Sequence, residues 1–217
     1  MSNTGRWTLA ALVAVVALMV ALWPRDGGDE SADQTTGMST GRMGSTEAVG
    51  PAPDAAARAR AALEPCPPAQ APAPASSELS GITLGCLADG LPVDLALSLA
   101  GKPALLNLWA YWCAPCAEEL PYLQDYAAQV GDAVTVLTVH SDPDEAKALA
   151  RLADLGIHLP GVEDAAAQVR VKANAPNVLP LSVLVRADGS IAEVVARPFR
   201  SVDEIADTVE QALGVAA

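Results

Sequence analysis

Trp112-Cys113-Ala114-Pro115-Cys116 is the stretch whose reading decides the fold. It follows an apolar, strand-like run over 103–109 (Pro-Ala-Leu-Leu-Asn-Leu-Trp) and opens a helix-like one over 118–130. A thiol at a helix N-terminus sits near unpaired backbone N–H groups and the positive end of the helix dipole, which favour thiolate over thiol. Cys113 is therefore the expected nucleophile. Cys116 follows three residues later on the same helical face, placed to resolve a mixed disulfide by intramolecular attack. Pro115 stiffens the turn between them.

A CxxC pair is also half of a zinc site, but zinc needs four ligands, usually a second such pair or closely spaced histidines. The remaining cysteines, Cys66 and Cys86, are isolated, and His140 and His158 have the wrong spacing. No metal site is expected. His140 ends the strand beside the motif, and a lone histidine there is read as structural.

Working outward, residues 7–23 carry no charge, have tryptophan at both ends, and approach the thickness of a bilayer core when helical. They are expected to form an uncleaved transmembrane signal anchor, with 1–6 cytoplasmic, because no small-residue cleavage site follows. From 24 to 77 the composition is Gly, Ser, Thr, Ala and Pro, too poor in apolar surface to offset ordering entropy, so this is a disordered linker. Residues 55–63 have the composition of a short helix, on which the reading does not rely. Residues 78–217 suit one compact domain. The chain has 26 acids against 13 bases, a net charge of −13, which argues against nucleic acid as a partner.

Four cysteines allow three pairings. If Cys113 pairs with Cys116, Cys66 and Cys86 are left to form a structural disulfide tying the end of the linker to the domain's first strand; two free thiols are the alternative. Within the domain, 82–86 and 91–93 read as a hairpin. The strand over 103–109 and the motif helix lead to a second buried strand over 133–139, making a βαβ unit with Cys113 at the carboxyl end of the sheet. Asp142-Pro143-Asp144-Glu145 reads as a capping box with proline at the first helical position, and Gly156 closes that helix. A hairpin over 181–186 and 191–196 follows, then a helix capped by Ser201 whose Ile205, Val209 and Leu213 form one apolar stripe.

On these residues the chain resembles the thioredoxin superfamily, and 107–121 (Asn-Leu-Trp-Ala-Tyr-Trp-Cys-Ala-Pro-Cys-Ala-Glu-Glu-Leu-Pro) resembles its TlpA/ResA-like membrane-anchored thiol-disulfide oxidoreductases. The resemblance implies an α/β thioredoxin-like fold, a central mixed sheet flanked by helices with an N-terminal hairpin extension. It implies a bacterial cell-membrane protein with an extracytoplasmic catalytic domain, reducing protein disulfides such as that of apocytochrome c with electrons from a membrane thiol donor. No cofactor beyond the Cys113–Cys116 pair is implied. Cys113 matches the attacking cysteine, Cys116 the resolving one, and Glu119 a carboxylate near the site that moves protons. Pro180 matches a cis-proline facing the cysteines, Leu179 presents backbone to substrate, and Trp112 supplies a functional surface. Leu179 is larger than the small or β-branched residue more usual there. Asn107 stands where cytoplasmic thioredoxins carry a buried aspartate, which leaves Glu119 as the proton acceptor.

The Ala-Pro between the cysteines lacks the histidine of strongly oxidising relatives, so the expected direction is reduction. A disulfide-forming oxidase, a copper chaperone of the same fold and a non-catalytic binding scaffold are the alternatives. Peroxide chemistry is disfavoured, because Ala110 stands three residues before Cys113.

Overall fold

The computed structural model describes residues 53–70 and 74–216; the apolar run 7–23 and most of the linker lie outside them. Among the described residues no helix is long and apolar enough to cross a membrane. The sheet is built on β3 (Ala104–Trp109), buried at every position as its unbroken apolar run requires. It pairs in parallel with β4 (Thr135–His140) and antiparallel with β6 (Leu181–Val185). Helix α3 (Ala114–Val130) makes the crossover between β3 and β4, which carries the chain from the carboxyl end of one strand to the start of the next.

Around this centre stand β1 (Thr83–Cys86), β2 (Pro92–Asp94), β5 (Gly161–Glu163) and β7 (Ile191–Val195). The mixed sheet runs β2-β1-β5-β4-β3-β6-β7. Helix α4 (Glu145–Leu155) links β4 to β5, α6 (Val202–Leu213) ends the chain, and two short helices, α2 (Leu95–Ser98) and α5 (Gln168–Lys172), fill connections.

Strand alternation divides the interior into two apolar layers. Leu105, Trp109, Val136 and Leu184 face α3, α4 and α6, with Leu120, Leu123, Leu149, Leu152, Ile205 and Val209 packed on them. Ala104, Leu106, Leu108, Leu137, Val139, Leu181 and Val183 face the other way, onto Leu79, Ile82, Val93 and Leu95. Asn107, Ser182, Thr138 and His140 lie on the α3 side by that same alternation, so the buried polar residues of the central strands share one face.

The structure differs from the sequence reading at three places. Residues 53–70, read as linker, are held on the domain: α1 (Ala55–Ala61), capped by Asp54, buries Ala61 against α4. Arg58 on that helix donates to the carbonyls of Cys86 (3.3 Å) and Leu87 (2.5 Å) and pairs with Glu145 at 2.9 Å. Proline-rich composition does not register tertiary bonds of this kind. The cap of α4 is Asp144, whose carboxylate accepts from Lys147 N–H, so Pro143 precedes the helix, and Asp142 accepts Asp144 N–H on Oδ1 while keeping Oδ2 for another partner. Strand β5 was not predicted, since three residues are too few to show a period. Its Gly161 is needed for close approach: a Cβ there would stand 2.5 Å from Thr138 Oγ1 and 2.9 Å from Leu87 Cδ1.

Candidate active site

Cys113 is the N-cap of α3, with Ala114 and Pro115 as the first helical residues. Proline suits that first turn because its missing N–H has no intrahelical partner there. Cys113 and Cys116 are disulfide-bonded, their Cα atoms 5.3 Å apart. Cys113 Sγ accepts from Cys116 N–H at 3.3 Å, so a backbone donor already points at the sulfur where thiolate charge would develop. Cys116 is fully buried and Cys113 nearly so.

One turn beyond Cys116, Glu119 is completely enclosed. Its Oε1 accepts from Asn107 Nδ2, and its Oε2 accepts from Phe199 N–H at 2.9 Å. Burial pushes the Glu119 carboxyl up to about 7, against the lowering pull of the Phe199 and Asn107 donors. A group poised there exchanges a proton readily at neutral pH. Asn107 Nδ2 also reaches Ser182 Oγ at 3.2 Å, while its Oδ1 is buried without a partner among the described residues. If Glu119 gains a proton, turning that amide over offers Oδ1 as the acceptor an O–H requires. Asn107 can therefore serve both charge states of its neighbour.

Trp112 stands 60 % exposed beside the disulfide, its indole N–H donating to Asp142 Oδ2 at 2.9 Å. The Leu179–Pro180 bond is cis. Leu181 pairs with Leu108 in the sheet, so Leu179–Pro180 arrives at the end of β3 from which the chain departs toward Cys113. Leu179 packs on the apolar layer that contains Cys113 and Cys116. At the start of the helix, Pro115, Glu118, Tyr122, Pro198, Phe199 and Arg200 line a cleft. Among the described residues no group of three His, Cys, Asp or Glu side chains is arranged to hold a metal ion.

Cys66 and Cys86 form the second disulfide, Cα atoms 6.0 Å apart, joining the segment after α1 to β1. Cys66 Sγ lies 3.1 Å from the Gly161 carbonyl oxygen.

The structure thus gathers Cys113, Cys116, Glu119, Trp112, Leu179 and Pro180 at one end of the sheet and sets Cys66 and Cys86 in a separate place. Sequence reasoning missed the partners that fix Glu119. Phe199 lies 80 residues away in a loop, and a backbone N–H leaves no trace in residue type. The aspartate that holds Trp112 was legible only as a helix cap.

A family model described as Redoxin matches residues 68–211. Among solved structures, a secreted Mycobacterium tuberculosis disulfide oxidoreductase homologous to E. coli DsbE is 30 % identical, with a TM-score of 0.54, covering 63 % of this chain and 99 % of that one. The thiol-disulfide oxidoreductase ResA of Oceanobacillus iheyensis is 31 % identical over 98 residues, 45 % of this chain and 50 % of that protein. The thiol:disulfide interchange protein DsbE of Yersinia pestis is 40 % identical over 67 residues, 31 % of this chain and 34 % of its own length. The chain spans about half the length of the first curated relatives it matches.

Proposed function

The chain belongs to the Redoxin family, and from that premise we propose that it is a thiol-disulfide oxidoreductase that reduces protein disulfides through Cys113 and Cys116. The observation that carries this reading is the cap geometry: a cysteine at a helix start with a backbone N–H on its sulfur, and a second cysteine one turn later.

In the reduced protein the Cys113 thiolate attacks one sulfur of a substrate disulfide and the other substrate sulfur leaves as a thiolate. Cys116 then loses its proton, attacks Cys113 Sγ and releases the second substrate thiol, so the pair ends oxidised as two electrons pass to the substrate. Glu119 accepts the Cys116 proton. Its burial keeps the carboxyl near 7, and the Phe199 N–H and Asn107 amide hold it in place. Substrate lies as an extended segment against the Leu179 backbone and the exposed face of Trp112, pairing with that backbone ahead of β6 as a short strand.

The names ResA and DsbE among the relatives support the same reading. With it we place the protein in the bacterial membrane through residues 7–23, its catalytic domain outside the cytoplasm, serving cytochrome c maturation with electrons from a membrane thiol donor. The test is the reduction potential of the Cys113–Cys116 pair. A value as low as that of cytosolic thioredoxin supports reduction, and one near that of a strong periplasmic oxidant assigns the protein to disulfide formation instead.

A further inference from the structure

An ionisable pair, one member fully buried and the other partly so, sits under the active-site loop and has no part in the mechanism above. His140, at the end of β4, is fully buried; its Nδ1 lies 2.7 Å from Glu163 Oε2 on the neighbouring strand. The carboxylate takes its donor from Nδ1, and Nε2 is buried with no partner among the described residues. Glu163 Oε1 is likewise buried and unpartnered among the described residues. Two orphan atoms on one pair are a feature that a purely packed interior avoids.

The pair is in contact with the segment that delivers Cys113. The His140 ring lies 5.0 Å from that of Trp109 and 6.1 Å from that of Tyr111, on either side of Ala110. Ala110 O in turn accepts the Cys113 N–H at 3.0 Å, and Trp109 O accepts Ser141 N–H at 2.9 Å. The chain from β3 to the nucleophile is therefore seated on His140.

We propose that His140 and Glu163 are a positioning pair: they carry the 109–112 loop to Cys113 and set the field in which its thiol ionises. This rests on the reading of Cys113 as the attacking cysteine. The other charged groups around the pair are largely engaged. From the turn after β4, Asp142 accepts from Trp112, while Asp144 pairs with Lys147 of α4 at 2.7 Å. Lys147 also lies over the Tyr111 ring, and Glu145 of α4 is bound by Arg58. Asp164, after β5, turns its carboxylate onto the N–H groups of Gln168 and Val169. Glu163 is thus the carboxylate on this side of the loop whose side-chain donor, among the described residues, is His140. Burial raises its carboxyl and the His140 bond opposes that, so the charge is sensitive to the ring.

The experiment measures the pH dependence of alkylation in the reduced protein, with peptide mass mapping to identify the cysteine modified. Glu163→Gln removes negative charge from beneath the loop, and the Cys113 midpoint is expected to fall by roughly half a unit or more at an unchanged melting temperature. Glu163→Thr, which suits a strand, removes the same charge and is read the same way if the amide variant does not fold. On a His140→Phe background the carboxyl has lost the bond that favours its charged form, so adding Glu163→Gln is expected to move the midpoint by less than it does in the wild-type background. Midpoints that superimpose on wild type in both charge-removing variants overturn the proposal, as does a fall in melting temperature alone. If Cys116, not Cys113, is alkylated first in the unmodified protein, the parent reading fails, and that outcome is visible without any variant.

Discussion

The two disulfides are the same bond in opposite surroundings. Cys113 Sγ receives a backbone N–H, begins a 17-residue helix, and lies one turn from Cys116 and two from a buried carboxyl poised near neutrality. Cys66 Sγ meets a carbonyl oxygen at 3.1 Å, stands among prolines and starts no helix. An N–H beside sulfur stabilises a thiolate and an oxygen lone pair repels it. In the function proposed above the first pair opens and the second stays shut, and the distinction lies in which end of a peptide unit each sulfur faces.

Serine replacements break that comparison most sharply. Cys113→Ser should abolish disulfide exchange, and Cys116→Ser should accumulate a mixed disulfide with substrate on non-reducing electrophoresis, because only the resolving attack is lost. Equal trapping by both variants would overturn the assigned order of attack. By contrast, the Cys66→Ser, Cys86→Ser double variant should keep exchange near wild type while losing about 3 kcal/mol of unfolding free energy in urea. Lost activity at unchanged stability would place this pair on the electron path.

Glu119→Gln sharpens the contrast through pH. The carboxyl ionises near 4.5 when unfolded and at about 7 when folded, so between those values the native state holds a proton that the unfolded state has released. Stability therefore falls as pH rises through that window, by up to roughly 3 kcal/mol, and the penalty is complete above pH 7. The amide variant should lack this slope in urea titrations at pH 5 and pH 8, and its exchange rate should lose the corresponding inflection. A variant with the wild-type slope would mean that another group titrates.

A smaller effect is expected at the second disulfide's support. Arg58→Ala leaves the Cys86 and Leu87 carbonyls without their side-chain donor and Glu145 without its partner, at a cost of about 1–3 kcal/mol by urea unfolding. Exchange at Cys113 should be unaffected, and a parallel loss of both would couple the two regions.

What the sequence made legible follows from how local each signal is. The βαβ unit, both hairpins, the Gly156 stop and the Ser201 cap rest on contiguous residues, and all are present. The cysteine pair and the helix that bears it belong to the same class. The docked α1 was not legible, because Arg58 finds carbonyls 28 and 29 residues away. Nor was the environment of Glu119: helix periodicity places it near Cys116, but its partners come from β3 and from the loop before α6. His140 was legible only as a strand end, because its carboxylate arrives on a strand too short to be seen.

The sheet's division into a face that holds Asn107, Ser182, Thr138 and His140 and a face of aliphatic side chains has a consequence for how such a domain drifts over generations. On the aliphatic side, Leu106, Val139 or Val183 can exchange for neighbours of similar volume with little lost but packing quality. On the other side a change at Asn107 disturbs a hydrogen bond to the Glu119 carboxyl, and one at His140 a bond to that of Glu163. Selection for foldability and selection for reactivity thus act on alternate residues of the same strands, and a lineage can retune its chemistry without rebuilding the floor beneath it.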